Sequence, residues 1–121
     1  GNGAFFVGDG YCNRRVVAFD AAGNYLREFG SGDARALAVP HSLRLHECSA
    51  TLYVADRENM RVMAYSNAGA LKGTLDLKRY GQVYALTGFQ GNELAALTWT
   101  RDARPARAYL VKLRTEAEGG R

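Results

Sequence analysis

Apolar and polar residues alternate along almost the whole chain, and turn residues interrupt the alternation at short intervals. No segment sustains a 3.6-residue apolar period with helix caps. The pattern predicts ten strands, over residues 4–8, 16–20, 25–29, 41–45, 51–55, 62–66, 71–75, 83–87, 94–98 and 108–113. Ala21-Ala22-Gly23-Asn24 and Asn67-Ala68-Gly69 fall at equivalent hairpins. Gly30-Ser31-Gly32-Asp33 and Gly88-Phe89-Gln90-Gly91-Asn92 close other turns.

Two stretches are versions of one another. FFVGDGYCNRRVVAF (residues 5–19) matches LYVADRENMRVMAY (52–65) at a period of 46 to 47 residues, with one extra residue in the first loop. Repetition on that scale means stacked units, a solenoid or propeller blades. Grouped by the period, the strands fall three, four and three; the first group lacks its leading strand and the last its closing strand. The expected fold is all-β, about two and a half four-stranded β-propeller blades. They comprise a partial blade at 1–37, a complete blade at 38–80, a partial blade at 81–118 and a tail at 119–121. Such a piece leaves unpaired edges and apolar faces, so either the chain associates with more of its own kind or, the favoured reading, it is a fragment of a closed propeller.

Composition narrows the function classes. No run of apolar residues is long enough for a membrane-spanning helix, and GNGAFFVGDG lacks the basic start of a signal peptide. The net charge is +4, and 13 of the 16 basic residues are arginine, a residue suited to bidentate grip on carboxylate or phosphate. Apart from Arg101, Arg104 and Arg107 the charges are dispersed, which argues against a nucleic-acid stripe. Cys12 and Cys48 lie in different repeats, and nothing in the sequence says that they pair. No P-loop, GxSxG, HExxH or CxxC motif occurs.

Residues shared by the repeats read as scaffold: Asp9 and Asp56 end a strand and hold the next turn, Asn13 and Asn59 assist, and Arg15 and Arg61 pair with a repeat carboxylate. The mismatch carries the candidate chemistry, because Gly10-Tyr11-Cys12 faces Arg57-Glu58 in the same loop. Tyr11 is a candidate acid or base beside a cation, or a rim tyrosine. Arg57 can grip a substrate carboxylate, or pair with Glu58 or a neighbouring blade. His41 follows Pro40 on the innermost strand of its blade, where a neutral imidazole can bind zinc if other blades supply the remaining ligands. His46-Glu47-Cys48 is expected at the surface. Residues 100–107 are expected to form a solvated hairpin loop, or a guide for an acidic peptide.

DGYCNRRVVAFDAAGNYLREFG and VADRENMRVMAY resemble NHL repeats. Together, GDGYCNRRVVAF, VPHSLRL and VADRENMRV resemble peptidyl-α-hydroxyglycine α-amidating lyase, the second enzyme of peptide C-terminal amidation. The resemblance covers essentially the whole chain and weakens after about residue 80. It implies a six-bladed propeller with a zinc held by three histidines, His41 being one. It also implies Tyr11 as catalytic base, Arg57 as an active-site and carboxylate-binding arginine, and a disulfide from Cys12 to a cysteine outside this chain. The implied substrate is a peptide ending in α-hydroxyglycine, cleaved to a peptide amide and glyoxylate. Further implied are the rest of the propeller, a hydroxylating monooxygenase domain as a possible partner, calcium in the full protein, and a secretory or extracellular setting. The family's other histidines and a further arginine fall outside these residues, so the isolated chain is expected to be inactive. A second family disulfide would sit at positions that here hold Tyr53 and Ala64. The rival readings are a non-enzymatic NHL propeller that binds protein or RNA, and a structural repeat without a site.

Overall fold

The computed structural model describes residues 3–32 and 36–115. Ten strands run in chain order: β1 (Phe5–Asp9), β2 (Arg15–Phe19), β3 (Tyr25–Phe29), β4 (Pro40–His46), β5 (Thr51–Asp56), β6 (Arg61–Ser66), β7 (Leu71–Asp76), β8 (Gln82–Leu86), β9 (Glu93–Trp99) and β10 (Ala108–Arg114). They form three antiparallel sheets, β1-β2-β3, β4-β5-β6-β7 and β10-β9-β8. Helical structure among the described residues is confined to the 3-10 turns Glu47–Ser49, Arg57–Asn59 and Lys78–Tyr80. The chain is therefore all-β, with the three-four-three grouping that the repeat predicts. The tail at 119–121 and Asp33 lie outside the described residues.

The middle sheet is buried on both faces, and the two-residue period of a strand decides which side chain goes where. Leu52, Val54, Met63 and Tyr65 point to one side and pack with Val16 and Leu37, against Phe6 and Phe29 of the first sheet. Tyr53, Ala55 and Val62 point to the other and pack with Val83, Leu86, Leu94 and Ala96 of the third. All six residues of β5 are buried. Each fully buried aliphatic side chain there contributes about 1.5–3 kcal/mol. Tyr53 and Ala64, which stand where the resembled family's second disulfide is missing from this sequence, are direct cross-strand partners. The Tyr53 ring fills that space and packs on Phe89 at 5.4 Å.

The outer sheets keep apolar far faces. Leu97 and Leu110 pair across β9 and β10 and are exposed with Trp99, as are Phe5 and Val7 on β1.

The repeat residues do the structural work expected of them, with one addition. Asp9 accepts from Asn13 Nδ2 at 2.7 Å and Arg15 Nε at 2.9 Å. Asp56 accepts from Asn59 Nδ2 at 2.9 Å and Arg61 Nε at 2.7 Å. Arg14 and Met60 close the two loops in the same left-handed conformation. Asp56 also accepts from the backbone N–H of Ala38 at 2.7 Å, so its carboxylate fastens the connector between the first two sheets.

His46 departs from expectation. It is the last residue of β4, paired with Thr51, and only 6% exposed. Its ring packs on Phe89 at 4.6 Å, and its nitrogens bond Ser49 Oγ at 2.8 Å and the Gly91 carbonyl at 3.1 Å. A half-apolar ring with both nitrogens satisfied is stable inside, so His46 bridges two sheets while Glu47 and Cys48 stay exposed.

The fully buried Asp56 carboxylate, with its three bonds, should dominate local stability. We expect Asp56→Ala to cost about 3 kcal/mol in urea unfolding, with a smaller loss for Asp9→Ala, whose carboxylate is 33% exposed. Equal losses at the two positions would refute the distinction.

Candidate active site

Three loops and two inner strands meet at one end of the sheets. The loop after β1 carries Tyr11, the turn after β5 carries Arg57 and Glu58, and the loop after β9 carries Arg101. Strands β4 and β8 lie side by side, and each breaks register once, between Pro40 and Ser42 and between Val83 and Ala85. His41 and Tyr84 are the residues at those irregularities. A bulge re-aims a side chain, and here equivalent irregularities in adjacent sheets place an imidazole and a phenol edge to face at 5.5 Å.

The close approach has local causes. Gly10 lies so near Pro40 that a Cβ there would sit 2.8 Å from the Pro40 carbonyl oxygen. Only glycine lets the loop bearing Tyr11 settle against the start of β4. Val39 takes φ +74°, a conformation that a β-branched residue adopts at a cost of about 1–3 kcal/mol. It is held there because Arg57 N–H donates to the Val39 carbonyl at 3.1 Å and Glu58 N–H to the Ala38 carbonyl at 3.0 Å.

Arg57 occupies the centre. Its guanidinium carbon lies 5.5 Å from the Tyr11 ring centroid and 5.2 Å from that of Tyr84. Arg57 Nη1 donates to Tyr11 Oη at 3.3 Å, and Nε donates to Glu58 at 2.8 Å. A guanidinium only donates, so negative charge developing on the Tyr11 oxygen would face a cation. Burial works against the Arg57 charge, but its bonds to Glu58 and Tyr11 outweigh that and raise its pKa. The Tyr11 and His41 rings meet edge to face at 6.3 Å. The structure thus gathers Tyr11, His41 and Arg57, the three residues singled out from sequence.

His41 fits a metal ligand by its hydrogen bonding. Its Nδ1 lies 2.7 Å from the Tyr84 carbonyl oxygen, which can only accept, so in the neutral ring the proton sits on Nδ1 and the lone pair on Nε2. A backbone carbonyl behind the ring is the usual orienter of a metal-bound histidine. Among the described residues no three metal-ligating side chains converge, so His41 is a single candidate ligand. Cys12 and Cys48 are both exposed free thiols.

Three participants were not legible as such. Glu58 appears in the sequence only as one possible partner for Arg57, Tyr84 is one tyrosine of an inner strand, and Arg101 reads as part of a solvated loop. Arg101 is instead tied down: its guanidinium bonds both Glu58 oxygens, at 2.9 and 2.8 Å, and Tyr84 Oη at 3.2 Å. Arg104 and Arg107 are exposed, as expected. A carboxylate two residues past a strand and an arginine two residues past another give no sign of meeting until the sheets stack.

No family model matches the chain. It is 34% identical to peptidyl-α-hydroxyglycine α-amidating lyase 2 of Drosophila melanogaster, over 94% of this chain and 30% of that protein. It is 45% identical to a probable peptidyl-α-hydroxyglycine α-amidating lyase of Caenorhabditis elegans, over 60% of this chain and 21% of that protein. It is 29% identical to peptidyl-glycine α-amidating monooxygenase B of Xenopus laevis, over 90% of this chain and 14% of that protein. The chain spans less than a third of the length of these relatives. Among solved structures it resembles the β-propeller domain of Cps50 (Swd1) from Myceliophteria thermophila. That match has a TM-score of 0.53 and 16% identity, covers 87% of this chain and 35% of the other, and supports the propeller fold alone.

The ion-pair cluster gives a pH prediction. The Arg101 bonds, then those of Arg57, hold the Glu58 carboxyl down at about 2 against burial, from a usual value of 4.5. A depressed carboxylate contributes stability that is complete above about pH 4.5 and is lost as pH falls towards about 2. Urea midpoints of the native protein and Glu58→Gln should differ at about pH 6 and converge near pH 2. A gap independent of pH would exclude the ion pairs as its source.

Proposed function

We propose that this chain, a relative of the peptidyl-α-hydroxyglycine α-amidating lyases over part of their length, carries the base, the central arginine and one metal ligand of such a lyase. The observation that carries the reading is the contact of the Tyr11 hydroxyl with the Arg57 guanidinium, 3.3 Å apart, beside His41.

The reaction breaks the C–N bond of a peptide ending in α-hydroxyglycine. Tyr11, as phenolate, takes the hydroxyl proton. The freed electron pair forms the aldehyde C=O of glyoxylate, the C–N bond breaks, and the departing amide nitrogen takes a proton. The proton held on Tyr11 returns to that nitrogen, so none is consumed. Arg57 has two tasks. Its bond holds the phenol oxygen in place beside a cation, and its remaining N–H groups suit the substrate carboxylate or developing oxyanion. His41 Nε2 would hold zinc, with the other ligands supplied from outside the described residues. When bound, zinc supplies Lewis-acid polarisation of a substrate oxygen.

The exposed apolar faces around Leu97, Leu110 and Phe5 support the packing of further blades, which this function needs. The reading also entails a secretory or extracellular setting, in which the exposed Cys12 pairs with a cysteine elsewhere in the propeller.

The test is release of glyoxylate from an α-hydroxyglycine peptide by the protein that contains this chain, with zinc present. Tyr11→Phe should lower kcat by about 100- to 10,000-fold and leave the unfolding temperature near native, since the Tyr11 side chain is largely exposed. A large fall in that temperature with turnover retained would assign Tyr11 to the scaffold. For His41→Ala, zinc content by mass spectrometry should fall with the fold intact; full occupancy would remove His41 from the metal site.

A further inference from the structure

We propose that Glu58, clamped by Arg101 from the adjacent sheet, is a positioning residue that fixes the Arg57 guanidinium against the Tyr11 and Tyr84 rings. The inference rests on the lyase reading for its kinetic consequence, and on geometry alone for the placement of Arg57.

Four observations carry it. Glu58 spends one oxygen on both arginines and the other on Arg101 alone: Oε2 accepts from Arg57 Nε at 2.8 Å and from Arg101 Nη1 at 2.9 Å, and Oε1 accepts from Arg101 Nη2 at 2.8 Å. Arg101 is in turn fixed at both ends, its backbone N–H donating to Gln82 Oε1 at 3.3 Å and its side chain to Tyr84 Oη at 3.2 Å. The Nε bond sets the rotation of the guanidinium plane, and the Tyr11 and Tyr84 ring centroids lie 5.5 and 5.2 Å from its carbon. The Nη edge is the one that faces Tyr11, which Nη1 reaches at 3.3 Å.

The charge pairing points the same way. Arg101 is also paired with Asp102, through Nε at 3.3 Å and Nη2 at 3.2 Å, so Glu58 is the carboxylate that balances Arg57. Without Glu58, Arg101 keeps its pairing with Asp102, whereas Arg57 loses its carboxylate partner and the bond that orients it. The site would then attract an anion at least as well and use it badly. A carboxylate that merely tied two sheets together would not produce that combination.

The experiment compares native protein, Glu58→Gln, Arg101→Ala and the double variant. One readout is kinetic: Glu58→Gln should lower kcat about 100-fold while KM for the α-hydroxyglycine peptide stays level or falls. Arg101→Ala should follow it more weakly and add nothing in the Glu58→Gln background, because it acts through Glu58. The second readout needs no catalysis. Modification of Arg57 by phenylglyoxal, mapped by peptide mass spectrometry, should be several-fold faster in Glu58→Gln than in native protein. If the native protein releases no glyoxylate, the lyase reading fails while the mapping still decides the placement. Unchanged kcat with unchanged Arg57 reactivity, at a lowered unfolding temperature, would overturn the proposal and leave Glu58 a tie between sheets. Additive losses in the double variant would overturn the clamping role of Arg101.

Discussion

One buried negative charge organises the end of the molecule where the candidate site lies. Asp56 is fully enclosed, and an ionised carboxylate survives there only with its oxygens occupied. Asn59 and Arg61 satisfy it from its own turn, and Ala38 N–H satisfies it from the connector between sheets. That last bond makes a repeat residue matter to the site. It holds residues 38 and 39 against the turn bearing Arg57 and Glu58, whose N–H groups grip the same two carbonyls. The strained Val39 and the entry of His41 into β4 follow.

Around that anchor the site is assembled from three sheets by paired irregularities rather than by any local motif. β4 and β8 slip register at equivalent places and present His41 and Tyr84 to one another. Gly10 lets the first sheet's loop approach Pro40. Arg101 brings the third sheet's loop back to Glu58. Each contact joins residues some 17 to 46 positions apart, so the site exists only when the blades are stacked. The same stacking gives the middle sheet two buried faces, which is why β5 reads as a nearly continuous apolar run while flanking strands alternate.

Much of this was legible. The strand pattern and the 46- to 47-residue period gave ten strands in three groups, because side-chain alternation and turn chemistry are local properties of the backbone. The repeat comparison separated the Asp-Asn-Arg scaffold from the loop residues that differ, and Tyr11, His41 and Arg57 do meet. His46 looks polar in sequence beside Glu47 and Cys48, whereas its partners Phe89 and Gly91 belong to the loop between β8 and β9. Arg101 was misread for the same reason. A charge looks solvated in sequence until a remote carboxylate is brought to it.

The sequence by itself determined the blades: where strands run, where they turn, which residues recur as scaffold and which loop positions break the repeat. Only the tertiary structure decided what those exceptional positions touch. It set the tautomer of the neutral His41 ring through the Tyr84 carbonyl, the contact of Arg57 with two tyrosine rings, and the Glu58–Arg101 clamp. The physical reason is one of range. Strand periodicity and turn preference act over a few residues, whereas ion pairs and ring contacts between blades depend on how whole sheets pack and on where a single bulge turns a side chain.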